Sequence, residues 1–235
     1  MAAAAAPPLL ECRDLRASYG AFQALKDVSL AFAEGERVGI FGHNGCGKST
    51  LLNCCVGAHR ELSGAVRFAG HGVVAGEVHR NVKLGIGYVP QGRNVFKDLS
   101  VERNLRIAGL MHQNEDLGSV YRLFPVLQAR RTQPAGIMSG GEQQMVAFGM
   151  ALMTRPRILL LDEPTTGLSP VLANTVLETV TAISRELGIG IVLVEQNVSR
   201  TLKAIDRAVI MKMGRVISDG PAAELADKKH LWEWF

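Results

Sequence analysis

Residues 42–50 read Gly42-His43-Asn44-Gly45-Cys46-Gly47-Lys48-Ser49-Thr50, a phosphate-binding loop of the form G-x-x-x-x-G-K-[ST]. The glycines let successive backbone N–H groups turn inward around a polyphosphate. Lys48 reaches toward the outer phosphates, and the Ser49 hydroxyl is placed to ligate Mg²⁺. The flanks fit that task. Glu36 to Phe41 ends in a short apolar run suited to a buried strand, and Thr50-Leu51-Leu52-Asn53 starts a helix whose positive N-terminal end faces the anion. A ligand-free glycine turn has no use for the Lys-Ser-Thr that closes the stretch.

Outward from the loop the chain alternates strands and helices. Strands are expected over residues 9–16 and 22–32, and at Ala65-Val66-Arg67-Phe68 after a Ser63-Gly64 turn. Another is expected at Gly85 to Val89, stopped by Pro90. From Ser100 to about Met153 the pattern becomes helical. Ser100 caps a helix carrying Val101, Leu105 and Ala108 on one side, while Val120, Leu123, Phe124 and Leu127 form a stripe that Pro125 ends or bends. After Arg157 the strands return: Ile158 to Leu161, Ile189 to Val194 and Ala208 to Lys212. A helix bearing Leu172, Val176, Val180, Ile183 and Leu187 follows the first of them. The reading is a parallel-sheet α/β core split by a helical insertion, with no internal repeat.

Two further motifs carry chemistry. The run Ile158 to Leu161 ends in Asp162 and Glu163. A carboxylate at that strand edge can hold Mg²⁺, and the next can polarise an attacking water. The other motif, Ser139-Gly140-Gly141-Glu142, precedes a helix expected over Gln143 to Met153, and lies 20 residues ahead of Asp162. It supplies a capping hydroxyl and exposed N–H groups, a second anion site. One nucleotide in one chain does not need two phosphate cradles. Two make sense if each serves a different copy of the nucleotide.

Composition narrows the class. A hydrophobic content of 47% supports a buried core and excludes a disordered chain, while a net charge of +4 does not argue for nucleic acid. No apolar run approaches the roughly 18 residues that cross a bilayer. The Ala-rich start lacks a basic n-region and reads as a flexible leader over residues 1–8. Cys12, Cys46, Cys54 and Cys55 show no C-x-x-C spacing and read as reduced thiols.

Together these motifs resemble the ATP-binding cassette (ABC) ATPases over nearly the whole chain. The phosphate loop is similar to their Walker A, Ser139 to Glu142 to their signature, and Ile158 to Glu163 to their Walker B. Gln91, after Tyr88-Val89-Pro90, matches the Q-loop glutamine, which in the family contacts Mg²⁺; Tyr19 matches the aromatic that stacks on adenine. The resemblance implies ATP and Mg²⁺ as ligands. It implies Ser49, Gln91 and Asp162 at the metal, and Glu163 as the base. It also implies a P-loop NTPase fold: a RecA-like mixed-sheet core (about residues 9–92 and 155–235), an antiparallel β-subdomain and an inserted helical subdomain (about 93–154). The family works as a head-to-tail dimer with two ATP molecules at the interface, each held by one subunit's Walker motifs and the other's signature. Non-transport relatives carry coiled coils, zinc insertions or two cassettes, and GTPases carry N-K-x-D; none of these is present.

Two positions depart from the family pattern. Gln196 stands where a switch histidine is usual, after Ile191 to Glu195; its amide can hydrogen-bond a phosphate or water but cannot carry charge. The expectation is slower hydrolysis at this subunit's own site, or heavier dependence on Glu163. Ser169 stands where the D-loop aspartate is usual, which implies altered communication between the two sites. The strings Tyr88 to Phe96, Ser139 to Gln144 and Val194 to Asn197 are similar to the second ATPase of branched-chain amino acid importers (the LivF type), with urea and short-chain amide importers as relatives. Such a subunit pairs with a second ATPase, usually a different one, and with two membrane permeases, and works indirectly with a periplasmic or lipid-anchored binding protein. It sits peripherally at the cytoplasmic face of the membrane. In the family's architecture the permease seats near Gln91 to Ser100, so substitutions over Arg93 to Lys97 should uncouple transport. Trp232 and Trp234, within the last four residues, are expected to pack on the core.

Overall fold

The computed structural model describes residues 7–92 and 94–226. Most of the expected leader, Arg93 and the tail with Trp232 and Trp234 lie outside the described residues. In chain order the elements are β1 (Leu10–Tyr19), β2 (Phe22–Phe32), β3 (Arg37–Phe41), α1 (Lys48–Val56), β4 (Leu62–Phe68), β5 (His71–Gly72), α2 (Val78–Lys83) and β6 (Ile86–Val89). Four helices follow without a strand: α3 (Val101–Gly109), α4 (Gly118–Leu123), α5 (Pro125–Ala129) and α6 (Gly140–Met153). The chain then returns to β7 (Ile158–Asp162), α7 (Pro170–Leu187), β8 (Gly190–Val194), α8 (Val198–Thr201), β9 (Arg207–Lys212), β10 (Arg215–Pro221) and α9 (Ala222–Ala226).

The strands form two sheets, in the orders β2-β1-β4-β5 and β10-β9-β3-β8-β7-β6. The first is antiparallel. In the second, β9, β3, β8, β7 and β6 run parallel and only β10 is antiparallel, at the edge. Every residue of β7 and β8 is buried, which is why both read as unbroken apolar runs rather than alternating ones. Because these five strands are parallel, their carboxyl ends share one edge, and the loops that leave it converge.

Helix α1 packs against strands of both sheets, and Leu51, Leu52, Cys54, Cys55 and Val56 are all buried. It lacks a polar face because it lies inside the core. In the four-helix stretch Val101, Leu105, Val120, Leu127 and Phe148 are almost fully buried, in a core continuous with Leu159 and Leu161 of β7 and Val176 and Val180 of α7. Gly149 lets α6 approach there: a Cβ on it would lie 2.7 Å from Leu105 Cδ2 and 2.9 Å from Val120 Cγ1. Phe148→Ala is therefore expected to cost about 3–5 kcal/mol in a denaturant titration, since the surrounding helices close only partly over the void.

Local signals account for the helix ends. The Ser100 and Ser139 hydroxyls accept from the N–H groups of Arg103 and Glu142, and Pro125 opens α5 and breaks it from α4. Four details differ from expectation. Ser63-Gly64 lies within β4, where the β1–β4 register slips between Arg13 and Arg16. Gly64 takes φ 87° there, and a Cβ would lie 2.4 Å from the Asp14 carbonyl. Helix α6 begins at Gly140 rather than Gln143, because the Ser139–Glu142 capping box draws the two glycines into its first turn. Leu187 is 43% exposed, with Ala173 and Leu177 buried instead. Finally, β10 has alternating exposure and gave no apolar run to read.

Candidate functional site

The loop between β3 and α1 closes on itself through Lys48. Its Nζ donates to the carbonyls of Gly42 (2.7 Å) and His43 (3.0 Å), and the side chain is 4% exposed. A cation is thereby fixed under a ring of backbone groups. Gly47, the N-cap of α1, sits at φ 107°, and a Cβ would lie 2.7 Å from the Ala24 carbonyl, so no larger residue fits. Cys46 is buried beneath the loop, and burial pushes its thiol pKa up. It is packing rather than a reactive thiol.

A cleft of about 360 Å³ opens over this loop, lined by Asn44, Gly45, Gly47, Lys48, Ser49 and Thr50 from one side. Gln91, Glu163 and Gln196 line the carboxyl edge of the parallel sheet, and Tyr19, Phe22 and Ala24 the β1–β2 hairpin. The hairpin end is aromatic and open, with Tyr19 53% and Phe22 62% exposed. Tyr19 meets the His59 ring edge-on at 4.7 Å between centroids.

At the opposite end the polar residues form a connected set. Ser49 Oγ donates to Asp162 Oδ1 at 3.0 Å. Burial raises the Asp162 pKa; the Ser49 hydrogen bond opposes the shift, neighbouring Glu163 adds to it, and Lys48 opposes it. A hydroxyl and a carboxylate together are hard oxygen donors that suit Mg²⁺. Glu163, the next residue, is 7% exposed and adopts φ 47°, unusual for a side-chain-bearing residue. Its carboxylate accepts from Gln91 Nε2 (3.0 Å), Thr166 Oγ1 (3.0 Å) and Gln196 Nε2 (2.9 and 2.8 Å).

The structure thus brings together Tyr19, the loop, Gln91, Asp162, Glu163 and Gln196. Here the Gln91 amide touches Glu163, not Ser49 or Asp162. Ser139, Gly140, Gly141 and Glu142 do not line this cleft. They form the N-terminus of the 14-residue helix α6, where Glu142 accepts from the Ser139 N–H at 2.9 Å and pairs with Arg130 at 3.1 Å. Ser169 caps α7 by accepting from the Leu172 N–H at 3.4 Å. Sequence reasoning missed Phe22, His59, Thr165, Thr166 and Glu195. Only Phe22 carried a signal, as an aromatic three residues beyond Tyr19 across a hairpin.

A family model described as "ABC transporter" matches residues 25–166. The chain is 43% identical over 211 residues to the high-affinity branched-chain amino acid transport ATP-binding protein BraG of Pseudomonas aeruginosa, covering 88% of this chain and 90% of that protein. It is 38% identical over 223 residues to a probable branched-chain amino acid transport ATP-binding protein, LivF, of Archaeoglobus fulgidus, covering 93% and 94%. Among solved structures, the ADP conformation of an ATP-binding cassette of an ABC transporter superposes with a TM-score of 0.83 at 26% identity, over 97% of this chain and 98% of that one.

Proposed function

Because the chain belongs to the ABC transporter ATPases, we propose that it powers an importer of branched-chain amino acids, hydrolysing ATP at the cleft between the phosphate loop and Glu163. The observation that carries this reading is the Glu163 carboxylate. It is held by the Gln91 and Gln196 amides and the Thr166 hydroxyl on the rim of a cleft whose floor is Lys48 and Ser49. Two relatives that each span most of their own length with this chain are described as branched-chain amino acid transport ATP-binding proteins. That favours this solute over urea or a short-chain amide.

In this reading adenine lies against Tyr19, and the triphosphate runs along the N–H groups of residues 42–50 toward the dipole of α1. Lys48 turns from its loop carbonyls to the outer phosphates. Ser49 and Asp162, with Gln91, would hold Mg²⁺, which when bound neutralises phosphate charge. Glu163 takes a proton from the attacking water, a step worth about 10²–10⁴ in rate. Gln196 has no charge to offer; its part is to aim the carboxylate. Two copies, or this chain and a second ATPase, close head to tail so that Ser139 to Glu142 of one caps the nucleotide of the other. Helix α6 provides an N-terminal dipole for that contact.

The division into a catalytic core (9–92 and 155–235) and a helical subdomain (93–154) belongs to the same proposal. So does a place at the cytoplasmic membrane face beside two permeases and, indirectly, a solute-binding protein. Among the described residues no helix is long and apolar enough to cross a membrane, so attachment to the bilayer would come through partners.

The test is purification of the tagged chain from detergent-extracted membranes. It should carry polytopic permeases with it, and the reconstituted complex should move labelled leucine in an ATP-dependent way. Capture of ribosomes or nucleic acid in place of permeases would contradict the assignment. ATP-dependent movement of urea without leucine would replace the solute.

A further inference from the structure

Glu195 is a buried carboxylate that the reading above leaves unused. It follows the last residue of β8, is 2% exposed, and receives two hydrogen bonds at one oxygen: Thr165 N–H at 3.0 Å and Thr165 Oγ1 at 2.7 Å. Burying a carboxylate is costly unless strong donors compensate it. Burial raises its pKa, while the Thr165 hydroxyl, the Thr165 N–H and the Gln196 N–H oppose that shift.

Thr165 lies in the Glu163–Thr166 turn, which the Thr166 N–H closes by donating to the Glu163 carbonyl at 3.1 Å. Three consecutive residues, the last of β8 and the two that follow it, grip this turn. The Val194 carbonyl accepts from the Glu163 N–H at 2.9 Å, Glu195 holds Thr165, and Gln196 holds the Glu163 carboxylate. The turn needs such a grip because Glu163 is kept in the left-handed region, at φ 47°. A residue so placed persists only where its surroundings over-determine it.

We propose that Glu195 is a positioning residue for hydrolysis: by fixing Thr165 it sets the backbone from which Glu163 is aimed at the attacking water. Glu195 does not line the cleft and acts through Thr165. It anchors one end of a short turn whose other end carries the base, so its loss lets the Glu163 carboxylate swing while the phosphate loop stays intact. The inference rests on the reading of Glu163 as the base.

The experiment measures ATP turnover in the assembled transporter, per competent nucleotide site titrated with a fluorescent ATP analogue. Glu195→Ala should lower kcat about 10- to 100-fold, the scale expected for displacing a catalytic group by about 1 Å. KM for ATP should change less than about 3-fold, because the phosphate cradle is untouched. Thr165→Val should show the same split, whereas Thr165→Ser, which keeps the donor, should restore turnover to within about 2-fold. The double variant Glu195→Ala/Thr165→Val should be no slower than Glu195→Ala, because Thr165→Val removes one of the two hydrogen bonds that Glu195→Ala already abolishes. If Glu195→Ala does not fold, the Thr165 pair decides: a slow valine and a normal serine support the proposal. A kcat within about 2-fold of the parent in Glu195→Ala or Thr165→Val would overturn it, as would parallel loss of kcat and nucleotide affinity in the variants that fold. Glu163→Gln is measured alongside. Should it retain turnover, the reading of Glu163 fails; should it be inactive while Glu195→Ala is normal, only the present inference fails.

Discussion

Glu163→Gln is expected to reduce ATP turnover about 10²–10⁴-fold, the contribution of a positioned general base, while nucleotide affinity stays within a few-fold of the parent. The substitution keeps size and shape and removes only the ability to take up a proton. The carboxylate's present partners are all donors: two side-chain amides and one hydroxyl. Glutamine still accepts through one oxygen, but its amide nitrogen faces those donors unproductively, so the side chain settles with its carbonyl toward them. Nothing in the phosphate loop depends on that choice. Single-turnover hydrolysis and equilibrium titration with a fluorescent nucleotide separate the two quantities. A variant that hydrolyses at more than a tenth of the parent rate would move the base elsewhere.

Lys48→Ala is expected to have the second largest effect, this time on binding: about a 100-fold loss of ATP affinity. The estimate follows from about 1.5–3 kcal/mol for each hydrogen bond to a charged group. Lys48 is almost fully buried, and its ammonium bridges the first two carbonyls of the loop. Its removal takes away the cation that meets the outer phosphates and also the donor that it supplies to the Gly42 carbonyl, while the His43 carbonyl keeps the Cys46 N–H at 3.2 Å. Lys48→Arg should rescue little, since the hollow beneath the loop is packed by Cys46 and the guanidinium is wider and planar. Isothermal titration with ATP decides the point. An unchanged dissociation constant would show that the backbone N–H groups and the α1 dipole suffice.

Much of this molecule could be read along the chain, for a physical reason. The phosphate loop is a contiguous device: nine residues whose order is its chemistry. Serine caps at Ser100 and Ser139 act on N–H groups three residues away, and buried parallel strands announce themselves as unbroken apolar runs. These are local rules acting on local neighbours. What could not be read is set by the sheet order. Thr165 and Glu195 are 30 residues apart, Gln91 and Glu163 are 72 apart, and both pairs meet only because β6, β7 and β8 are adjacent. In the string Glu195-Gln196-Asn197 Gln196 stands in for a histidine, while nothing local marks its buried neighbour Glu195. The slip of register at Gly64 was missed for the same reason. A glycine after a serine looks like a turn until its antiparallel partner places Asp14, at φ 48°, opposite it. His59 beneath Tyr19 is likewise a contact across 40 positions of chain.

The signature segment marks the boundary of what one chain can display. Ser139 to Glu142 form a capped helix start with a paired glutamate, away from the cleft that they are proposed to complete in another subunit. The proposed function therefore depends on the assembly of two chains. Light scattering of the Glu163→Gln chain, saturated with Mg²⁺ and ATP, with and without its cognate ATPase, measures that assembly directly. The expected result is a shift from one 25.3 kDa chain to a two-chain mass in at least one of these mixtures, reversed when ADP replaces ATP. A single-chain mass in both mixtures at saturating nucleotide would contradict it.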